Sequence, residues 1–286
     1  MEKIAIITDS CADVTVEDRA KHDIFVLPMI VLNGEKEYKD GVTITAQDVY
    51  EQQKTAVLKT ASPAGEDVLN TFRKVKEKGY THAIIVALSS GLSGTFNSLR
   101  LLAMEEEGLQ TEVLDSKSGS IGYGAVVTIL ARFRDAGLSF GDLLAKGKFL
   151  LENSFPFFSI DTLEHLERGG RIGKATAFVG GLLKIKPILA FDKEQGEIFV
   201  PAKVRGAKAV PGMLLQLVEK QLELHKRQKY YLICAHGGAP EEFEKLKEEL
   251  VVRFPDAVDC LDTTIGAALS TYLGKGLLGA GVIFDK

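Results

Sequence analysis

The sequence predicts an α/β protein: a three-layer α/β/α part with a parallel sheet, followed by a two-layer α/β part with a mixed sheet. In the first half, short apolar runs alternate with helical patterns, which is typical of parallel strands joined by crossover helices. Near residues 154–158 this alternation changes, and strand patterns come to outnumber helical ones. The chain of 286 residues is longer than one hydrophobic core usually requires. We therefore predict two domains, at residues 1–154 and 155–286.

The first half contains alternating strand and helix patterns. The apolar run 83–88 indicates a buried parallel strand, and Phe96, Leu99 and Leu102 follow it at helical spacing. Ser62 and Pro63 suit a helix start, since serine can cap a helix and proline fits its first turn. We expect strands at residues 3–8, 24–27, 82–88 and 111–115, and helices at residues 45–53, 63–78, 94–107 and 121–136.

The second half is richer in strands. We expect strands at residues 155–160, 186–191, 197–202, 230–235 and 280–284, with helices at residues 208–223 and 240–253. With only two helices among five strands, crossover helices cannot join every pair, so the sheet is expected to be mixed.

Composition excludes several classes of protein. The net charge of −4 gives no electrostatic support for nucleic-acid binding. No apolar stretch approaches the roughly 20 residues that a membrane span requires, so stable membrane insertion is not expected. The three cysteines lie far apart without CxxC spacing, so neither a zinc site nor a disulfide scaffold is indicated. With no signal-peptide pattern at the start, we expect a cytoplasmic protein with reduced thiols.

Hydroxyl-rich turns follow three of the predicted parallel strands, at residues 8–13, 89–95 and 115–120. They should meet at one edge of the sheet, where α/β proteins bind ligands and helix amino ends favour anions. Asp9 and Asp115 could instead simply cap the following helices, and that alternative stays open. The turn 89–95 holds two glycines and four hydroxyls, more than a cap requires. It predicts a site for something small and acidic.

Catalytic and metal motifs are incomplete. Residues 91–95 nearly match the Gly-x-Ser-x-Gly nucleophile elbow, but Thr95 stands where its last glycine should be. The five histidines show no HxxxH or HxH spacing, and no Walker lysine motif is present. We therefore expect no catalytic residues, no metal and no cofactor.

A second signal is the segment 163–172, in which Arg168 and Arg171 flank a Gly-Gly pair. Arginine offers a planar fork that suits phosphate or carboxylate. Arg205 belongs to a further basic cluster with Lys203 and Lys208. These clusters are candidate docking surfaces for a phosphate or an acidic partner, although simple solvation of the charges is the alternative.

Together these segments resemble the DegV family, whose members include the FakB fatty-acid-binding proteins. The resemblance covers nearly the whole chain and rests on seven ordered motifs. They lie at residues 8–10, 60–63, 89–95, 115–116, 163–172, 236–239 and 272–276. It implies a parallel α/β/α domain followed by a two-layer α/β domain, with the ligand in a cleft between them.

The resemblance further implies a carrier without catalytic activity that buries a long-chain fatty acid. Thr60 and Ser93 match the residues that hold the carboxylate in the family. Characterised members present the acid to a separate fatty acid kinase, which makes an acyl phosphate from ATP. The expected carboxylate site comprises Thr60, Ser62, Ser90, Ser93, Gly94, Thr95 and Tyr272, and the residues expected to face the kinase are Arg168, Arg171 and Arg205.

Two positions depart from the family pattern. Ala61 replaces the second serine of the Thr-Ser-x-Pro motif, although Ser62 follows. Tyr272 replaces the histidine of the C-terminal His-x-Gly-Pro-Gly motif. A phenol can donate a hydrogen bond but supplies no positive charge. Weaker binding of the carboxylate, or a changed pose of the ligand, is therefore expected.

Two alternatives remain. One is an enzyme acting on a small phosphorylated or carboxylated metabolite, since the dihydroxyacetone-binding domain of glycerone kinases looks similar in architecture. Those kinases attach their substrate through a histidine, and no histidine here lies in such a motif. The other is a regulatory protein that binds a partner through its arginine clusters and needs no lipid.

Overall fold

The computed structural model describes residues 2–178, 185–226 and 228–286. Its strands are β1 (Ile4–Asp9), β2 (Ile24–Leu27), β3 (Ile30–Asn33), β4 (Lys36–Lys39), β5 (Lys59–Ala61), β6 (His82–Ala87), β7 (Gln110–Asp115), β8 (Ser154–Ser159), β9 (Ile185–Phe191), β10 (Ile198–Arg205), β11 (Lys229–Gly237), β12 (Cys260–Thr264) and β13 (Leu277–Asp285). Its helices are α1 (Val16–Lys21), α2 (Ala46–Gln52), α3 (Gly65–Glu77), α4 (Thr95–Glu105), α5 (Ile121–Asp135), α6 (Phe140–Glu152), α7 (Glu164–Arg168), α8 (Val210–Leu224), α9 (Pro240–Arg253) and α10 (Ala267–Leu273). None of the helices in these ranges is long and apolar enough to cross a lipid bilayer.

The first sheet is four-stranded and entirely parallel, in the order β2-β1-β6-β7. Ile7 and Ile85 point to one face, where they pack with Phe72 of α3 and Leu99 of α4. The alternate residues, such as Ile6, point to the other face and join the core that contains α5. The three-layer α/β/α arrangement predicted from the sequence is therefore confirmed.

The second sheet is six-stranded and mixed, in the order β10-β9-β8-β13-β11-β12. Strands β11 and β12 are parallel, and the other neighbours are antiparallel. One face carries α8 and α9, whose Leu214 and Phe243 pack with Phe284 in a single core. This two-layer part with a mixed sheet is also confirmed.

A third sheet, β4-β3-β5, is antiparallel and was not predicted from the sequence. Its strands have only three or four residues, too few for the alternating pattern to stand out. Gly34, with a φ of 60°, begins the two-residue loop between β3 and β4. A glycine at the first loop position suits a tight hairpin turn, and this signal could have revealed the sheet. Strand β5 carries Thr60 next to Val31 of β3.

Two helices contact both halves of the chain. Helix α5 packs against β1 of the first sheet and against β8, β11 and β12 of the second. Helix α10, which follows β12, packs against α2, β3 and β5. A division into independent domains at residues 154 and 155 stays a prediction.

Strand β13 is longer than the sequence predicted: it begins at Leu277 rather than at residue 280, because Gly279 interrupts the apolar pattern. At Gly281 a Cβ atom would collide with the carbonyl oxygen of Phe155 on the neighbouring strand. Glycine therefore allows the two backbones to approach in the middle of the sheet. The short helix α10 was likewise not expected, because seven residues between glycines give little helical pattern.

Candidate ligand-binding site

An apolar cavity lies where the three sheets and α10 meet. It contains about 1090 Å³ of space free of protein atoms, including its opening to solvent. Both halves of the chain contribute apolar side chains to its lining, among them Met29, Leu92, Phe158, Ile198 and Leu277. The composition of this lining is typical of a site for an apolar organic molecule.

One end of the cavity is polar. Thr60, Ser62, Ser93 and Tyr272 all line it. The hydroxyl oxygens of Thr60 and Tyr272 are 2.9 Å apart and share a hydrogen bond between β5 and α10. The structure therefore brings together residues from three separate sequence motifs, including the tyrosine that departs from the family pattern.

Thr95 supports this polar end from beneath. Its side chain is fully buried, and its hydroxyl oxygen lies 2.8 Å from that of Ser93 and 3.0 Å from that of Ser62. Because it begins α4, it links the two serines to the amino end of that helix. Gly94 lines the cavity beside it. Thr95 thus orients the hydroxyls that face the cavity, although its own side chain does not line the cavity.

Arg171 also lines the polar end. Its guanidinium group lies 5.1 Å from the centre of the Tyr272 ring. Its Nε donates to the carbonyl oxygen of Leu92 at 3.2 Å, and its Nη1 donates to that of Gly169 at 2.7 Å. These partners are neutral, so the charge of Arg171 is not cancelled by them. The polar end therefore has positive character.

Gly169 makes this arrangement possible. A Cβ atom at residue 169 would collide with the ring of Tyr272. The missing side chain lets α10 approach the end of α7, so that Tyr272 reaches Thr60 and lies under Arg171. This explains the first glycine of the Gly-Gly pair in steric terms.

Ser90 lies away from the cavity. Its hydroxyl accepts a hydrogen bond from Lys117 Nζ at 3.0 Å, and its backbone N–H donates to Asp115. The turn is fixed on its other side by Ser89, whose hydroxyl donates to the carbonyl oxygen of Gly196 at 2.8 Å. The structure does not bring Ser90 to the other predicted site residues.

Asp9 fixes the carboxyl ends of β1 and β6. Its carboxylate accepts hydrogen bonds from the backbone N–H groups of Leu88 and Cys11 and from the hydroxyl of Tyr123. Burial raises the pKa of Asp9 from its usual 3.8 to about 6, although these hydrogen bonds oppose the shift. Asp9 therefore caps the turn after β1, as the capping alternative expected. It also connects this turn to the end of β6 and to α5.

Asp13 and Asp40 hold the amino end of α10. The backbone N–H of Gly266 donates to Asp13 and that of Ala267 to Asp40, both at 2.8 Å. Burial is the main reason that the pKa of each carboxyl is raised. Two residues from the first half of the chain thereby position the helix that carries Tyr272.

A second, outer chamber adjoins the polar end and contains about 720 Å³ free of protein atoms, including open solvent. Thr60, Arg171 and Tyr272 border both chambers. The exposed Arg168 lines the outer one, together with His165, whose pKa is lowered by burial and by the charge of Arg168. The outer chamber is therefore positively charged and adjoins the polar end of the inner cavity.

Two other predicted groups lie elsewhere. Arg205 is exposed on β10, at the edge of the second sheet, and lines neither chamber. His236 packs on Phe243 of α9, with its ring centre 4.7 Å away. It therefore cannot replace the charge that Tyr272 lacks. Across the described part of the chain, no group of three or more His, Cys, Asp or Glu side chains is placed to hold a metal ion.

Sequence reasoning missed the apolar part of the site. Met29, Phe158, Ile198 and Leu277 line the cavity, yet they lie in strands or strand ends that look like ordinary core. An apolar side chain carries the same signal whether it packs against protein or lines a cavity. Only the hydroxyl and arginine residues had a recognisable pattern.

The fold and the cavity define an α/β protein with an apolar chamber that opens to solvent and ends in hydroxyl groups. A family model described as "Uncharacterised protein, DegV family" matches residues 3–285. The chain belongs to the DegV family. A DegV domain-containing protein of Clostridium acetobutylicum is 37% identical over 286 residues, covering 100% of both chains.

Solved structures agree with this family. One, described as "Fatty Acid Binding of a DegV family Protein from Thermus thermophilus", has a TM-score of 0.90 and 28% identity, covering 99% of this chain and 100% of that one. DegV of Bacillus subtilis, described as a fatty acid binding protein, has a TM-score of 0.88 and 28% identity with full coverage of both chains. A stearic acid-binding protein from Eubacterium ventriosum has a TM-score of 0.89 and 27% identity, covering 99% and 98%.

Proposed function

We propose that this protein binds one long-chain fatty acid, with the tail in the apolar cavity and the carboxylate at its polar end. The observation that carries the proposal is a cavity lined by apolar side chains that ends in hydroxyl groups and one guanidinium. The similar structures from Thermus thermophilus, Bacillus subtilis and Eubacterium ventriosum are described as binding fatty acids, which supports the same class of ligand.

Energetics favour a lipid over a small acid. Burying one methylene contributes about 0.8 kcal/mol, so a tail of ~14 methylenes gives roughly 11 kcal/mol before the costs of association. A hydrogen bond to a charged group contributes only about 1.5–3 kcal/mol. The tail therefore supplies most of the affinity, and the polar end fixes the position and chemical class of the head group.

Thr60, Ser93 and Tyr272 donate hydrogen bonds to the carboxylate in this proposal, and Arg171 supplies the positive charge that a phenol lacks. The bond between Thr60 and Tyr272 would open so that both hydroxyls turn toward the ligand. Ser62, Gly94 and Thr95 shape and orient this group. Arg171 is thereby reassigned from partner docking to the head group, because it borders the inner cavity.

The protein acts as a non-catalytic carrier in this proposal and presents the acid to a separate fatty acid kinase. The outer chamber supports this role, since it adjoins the polar end and carries the exposed Arg168. A partner that supplies ATP could approach the carboxylate from that side. Arg205 would contribute to docking at a second point. A purified fatty acid kinase should then consume ATP in the presence of the lipid-loaded protein and not in its absence.

Extraction of the purified protein tests the proposed ligand. The protein is denatured, extracted with organic solvent, and the extract is analysed by mass spectrometry. We expect one long-chain fatty acid per chain, whose length and saturation the spectrum gives directly. An empty extract, together with no binding of added oleate or palmitate, would reject the carrier and favour an enzyme that acts on a small phosphorylated or carboxylated metabolite.

A further inference from the structure

Two cysteines that are distant in sequence lie side by side in the second sheet. The sulfur atoms of Cys234 on β11 and Cys260 on β12 are 4.0 Å apart. These strands are parallel neighbours, with Cys260 opposite Leu232 and Cys234 opposite Asp262. The two thiols are therefore diagonal neighbours on the same face of the sheet.

The position of β12 allows the sulfurs to approach further. A disulfide requires a sulfur separation of about 2.05 Å, so one strand has to shift. Strand β12 is at the edge of the sheet and pairs only with β11 among the described strands. Moving an edge strand disturbs hydrogen bonds on one side only, whereas Cys234 lies on an inner strand that is paired on both sides.

The two thiols differ in accessibility. Cys234 is fully buried, whereas Cys260 is only half-buried and within reach of a small solute. The Cys234 thiol can donate to the sulfur of Cys260, and this contact lowers the pKa of Cys260. Burial and the charge of Asp262 oppose the shift, while the charge of Lys247 on α9 assists it. Lys247 is held nearby through its ion pair with Asp262. Thiolate is the reactive form of cysteine, so Cys260 is the side chain that an oxidant meets first.

Cys11 provides a contrast within the same chain. It is buried beside the acidic Asp9, and both burial and that negative charge raise its pKa. It lines the cavity, whereas Cys234 packs in the core beneath α8 and α9. Ala235, the next residue on β11, lines the cavity instead. Because the thiol pair lies on the opposite face of the sheet, a ligand in the cavity does not shield it.

We propose that Cys234 and Cys260 form a reversible disulfide when the protein meets hydrogen peroxide. In the first step the Cys260 thiolate attacks one peroxide oxygen, the O–O bond breaks, and a sulfenic acid forms, with the other oxygen leaving as water after it takes up a proton. In the second step the sulfur of Cys234 attacks the sulfur of the sulfenic acid, its thiol proton is lost, and the hydroxyl group leaves as water. Each peroxide is thus reduced to two waters as two thiols are oxidised to one disulfide.

Thiol counting after treatment with hydrogen peroxide tests this site. The purified protein is exposed to a modest excess of peroxide, quenched with catalase, denatured and titrated for free thiols. We expect the count to fall from three to one, and to return to three after treatment with dithiothreitol. Peptide mass spectrometry should show the peptides of Cys234 and Cys260 joined, with the loss of two hydrogen atoms.

Serine variants identify the reacting residues. Cys11→Ser should behave as the wild type does, losing two thiols, because its side chain takes no part. Cys260→Ser should keep both of its remaining thiols at the same peroxide dose. The inference is overturned if the wild-type protein keeps three thiols, if Cys260 is oxidised to a sulfinic acid without a cross-link, or if Cys11→Ser abolishes the loss. The proposed function does not enter this test, since no lipid is needed.

Discussion

At the scale of single residues, the polar end of the cavity consists of neutral hydroxyls arranged around one fixed cation. Thr60 and Tyr272 bond to each other, and Thr95 holds Ser93. Arg171 is the charged member, and main-chain carbonyls orient its guanidinium group. These roles can be separated by substitutions that change a hydrogen-bond donor or a charge without changing the fold.

Replacing Ser93 by alanine removes one of the donors proposed for the carboxylate. Ser93 is part of a surface turn, so Ser93→Ala should change the free energy of unfolding by less than about 1 kcal/mol. The dissociation constant for oleate should rise about tenfold or more, since a hydrogen bond to a charged group is lost. Isothermal titration with delipidated protein measures this change. Ser90→Ala is the matched control and should bind as the wild type does; equal binding by both variants would contradict the role of Ser93.

Replacing Arg171 by glutamine tests the charge. Arg171→Gln should weaken binding of a long-chain fatty acid by about tenfold or more, because the carboxylate loses its cation. Binding of the fatty alcohol of the same length should change little, since it has no charge to neutralise. Fluorescence displacement assays give both affinities. Arg168→Gln, which alters the outer chamber, should leave both unchanged.

If Arg171→Gln weakens acid and alcohol equally, Arg171 acts only by supporting Tyr272 and carries no electrostatic role. If wild-type protein binds neither lipid, the proposed function itself fails. The two results are therefore distinguishable.

The contrast between Ser90 and Ser93 shows how far sequence reasoning reaches for single residues. Both serines lie in one turn and carry the same chemical signal. Ser90 is held by Lys117 and Ser93 by Thr95. The turn itself is anchored by Ser89, which is bonded to Gly196, 107 residues further along the chain. A contact between such distant residues leaves no local pattern, so the turn could be predicted as a site but not which of its hydroxyls faces the ligand.

At the scale of elements, the ends of several strands and helices are joined by buried carboxylates. Asp9 ties β1 and β6 to α5 through Tyr123, and Asp13 and Asp40 hold the start of α10. Burying these groups opposes their ionisation, while the hydrogen bonds that they accept favour it. Stability should therefore depend on pH through these contacts.

Asp9→Asn tests this dependence. The folded state holds a proton on Asp9 up to about pH 6, whereas the unfolded chain releases it near the usual pKa of 3.8. The contribution of this group to stability is therefore present at low pH and is lost as the pH rises through this window. We subtract the free energy of unfolding of Asp9→Asn from that of the wild type. This difference should fall by up to roughly 3 kcal/mol from about pH 4 to about pH 6. Urea unfolding at several pH values measures it.

Tyr123→Phe gives a second measurement on the same carboxyl. It removes a donor that lowers the pKa of Asp9, so the window of pH dependence should move upward. A stability difference between wild type and Asp9→Asn that stays constant across this range would show that Asp9 is not protonated in the folded protein.

Elements with a clear local pattern were predictable, whereas several others were not, including the 13-residue helix α6. The strand predicted at residues 24–27 and the helix at 240–253 coincide with β2 and α9. The three-stranded sheet and α10 were missed, because three to seven residues give no clear periodicity. These short elements nevertheless supply Thr60 and Tyr272. Tertiary contacts, more than local propensity, hold them in place.

At the scale of the whole molecule, the cavity is a gap in a core that both sheets share. Many of the residues around it are buried in one continuous cluster, which includes α5 between the sheets. A gap of this kind forfeits contacts that a packed core would make. The proposed lipid would restore those contacts and so stabilise the folded state.

Delipidated protein should consequently be less stable than loaded protein. Oleate at about 100 times its dissociation constant should add about 2.7 kcal/mol to the free energy of unfolding. For a chain of this size the melting temperature should rise by several degrees, which differential scanning fluorimetry can record. Butyrate, which has the carboxylate but almost no tail, should give no shift at the same concentration. An equal shift with butyrate would mean that the cavity does not hold the tail.

The place of β13 in the second sheet also determines at which stage of folding a ligand can bind. This strand lies between β8 and β11 and contributes Leu277, Gly279 and Ala280 to the cavity wall. Until the ribosome has released these residues, β8 and β11 lack the neighbour that joins them, and the chamber has no wall on that side. A lipid of the proposed kind can therefore be held only after β13 has paired with both of its neighbours.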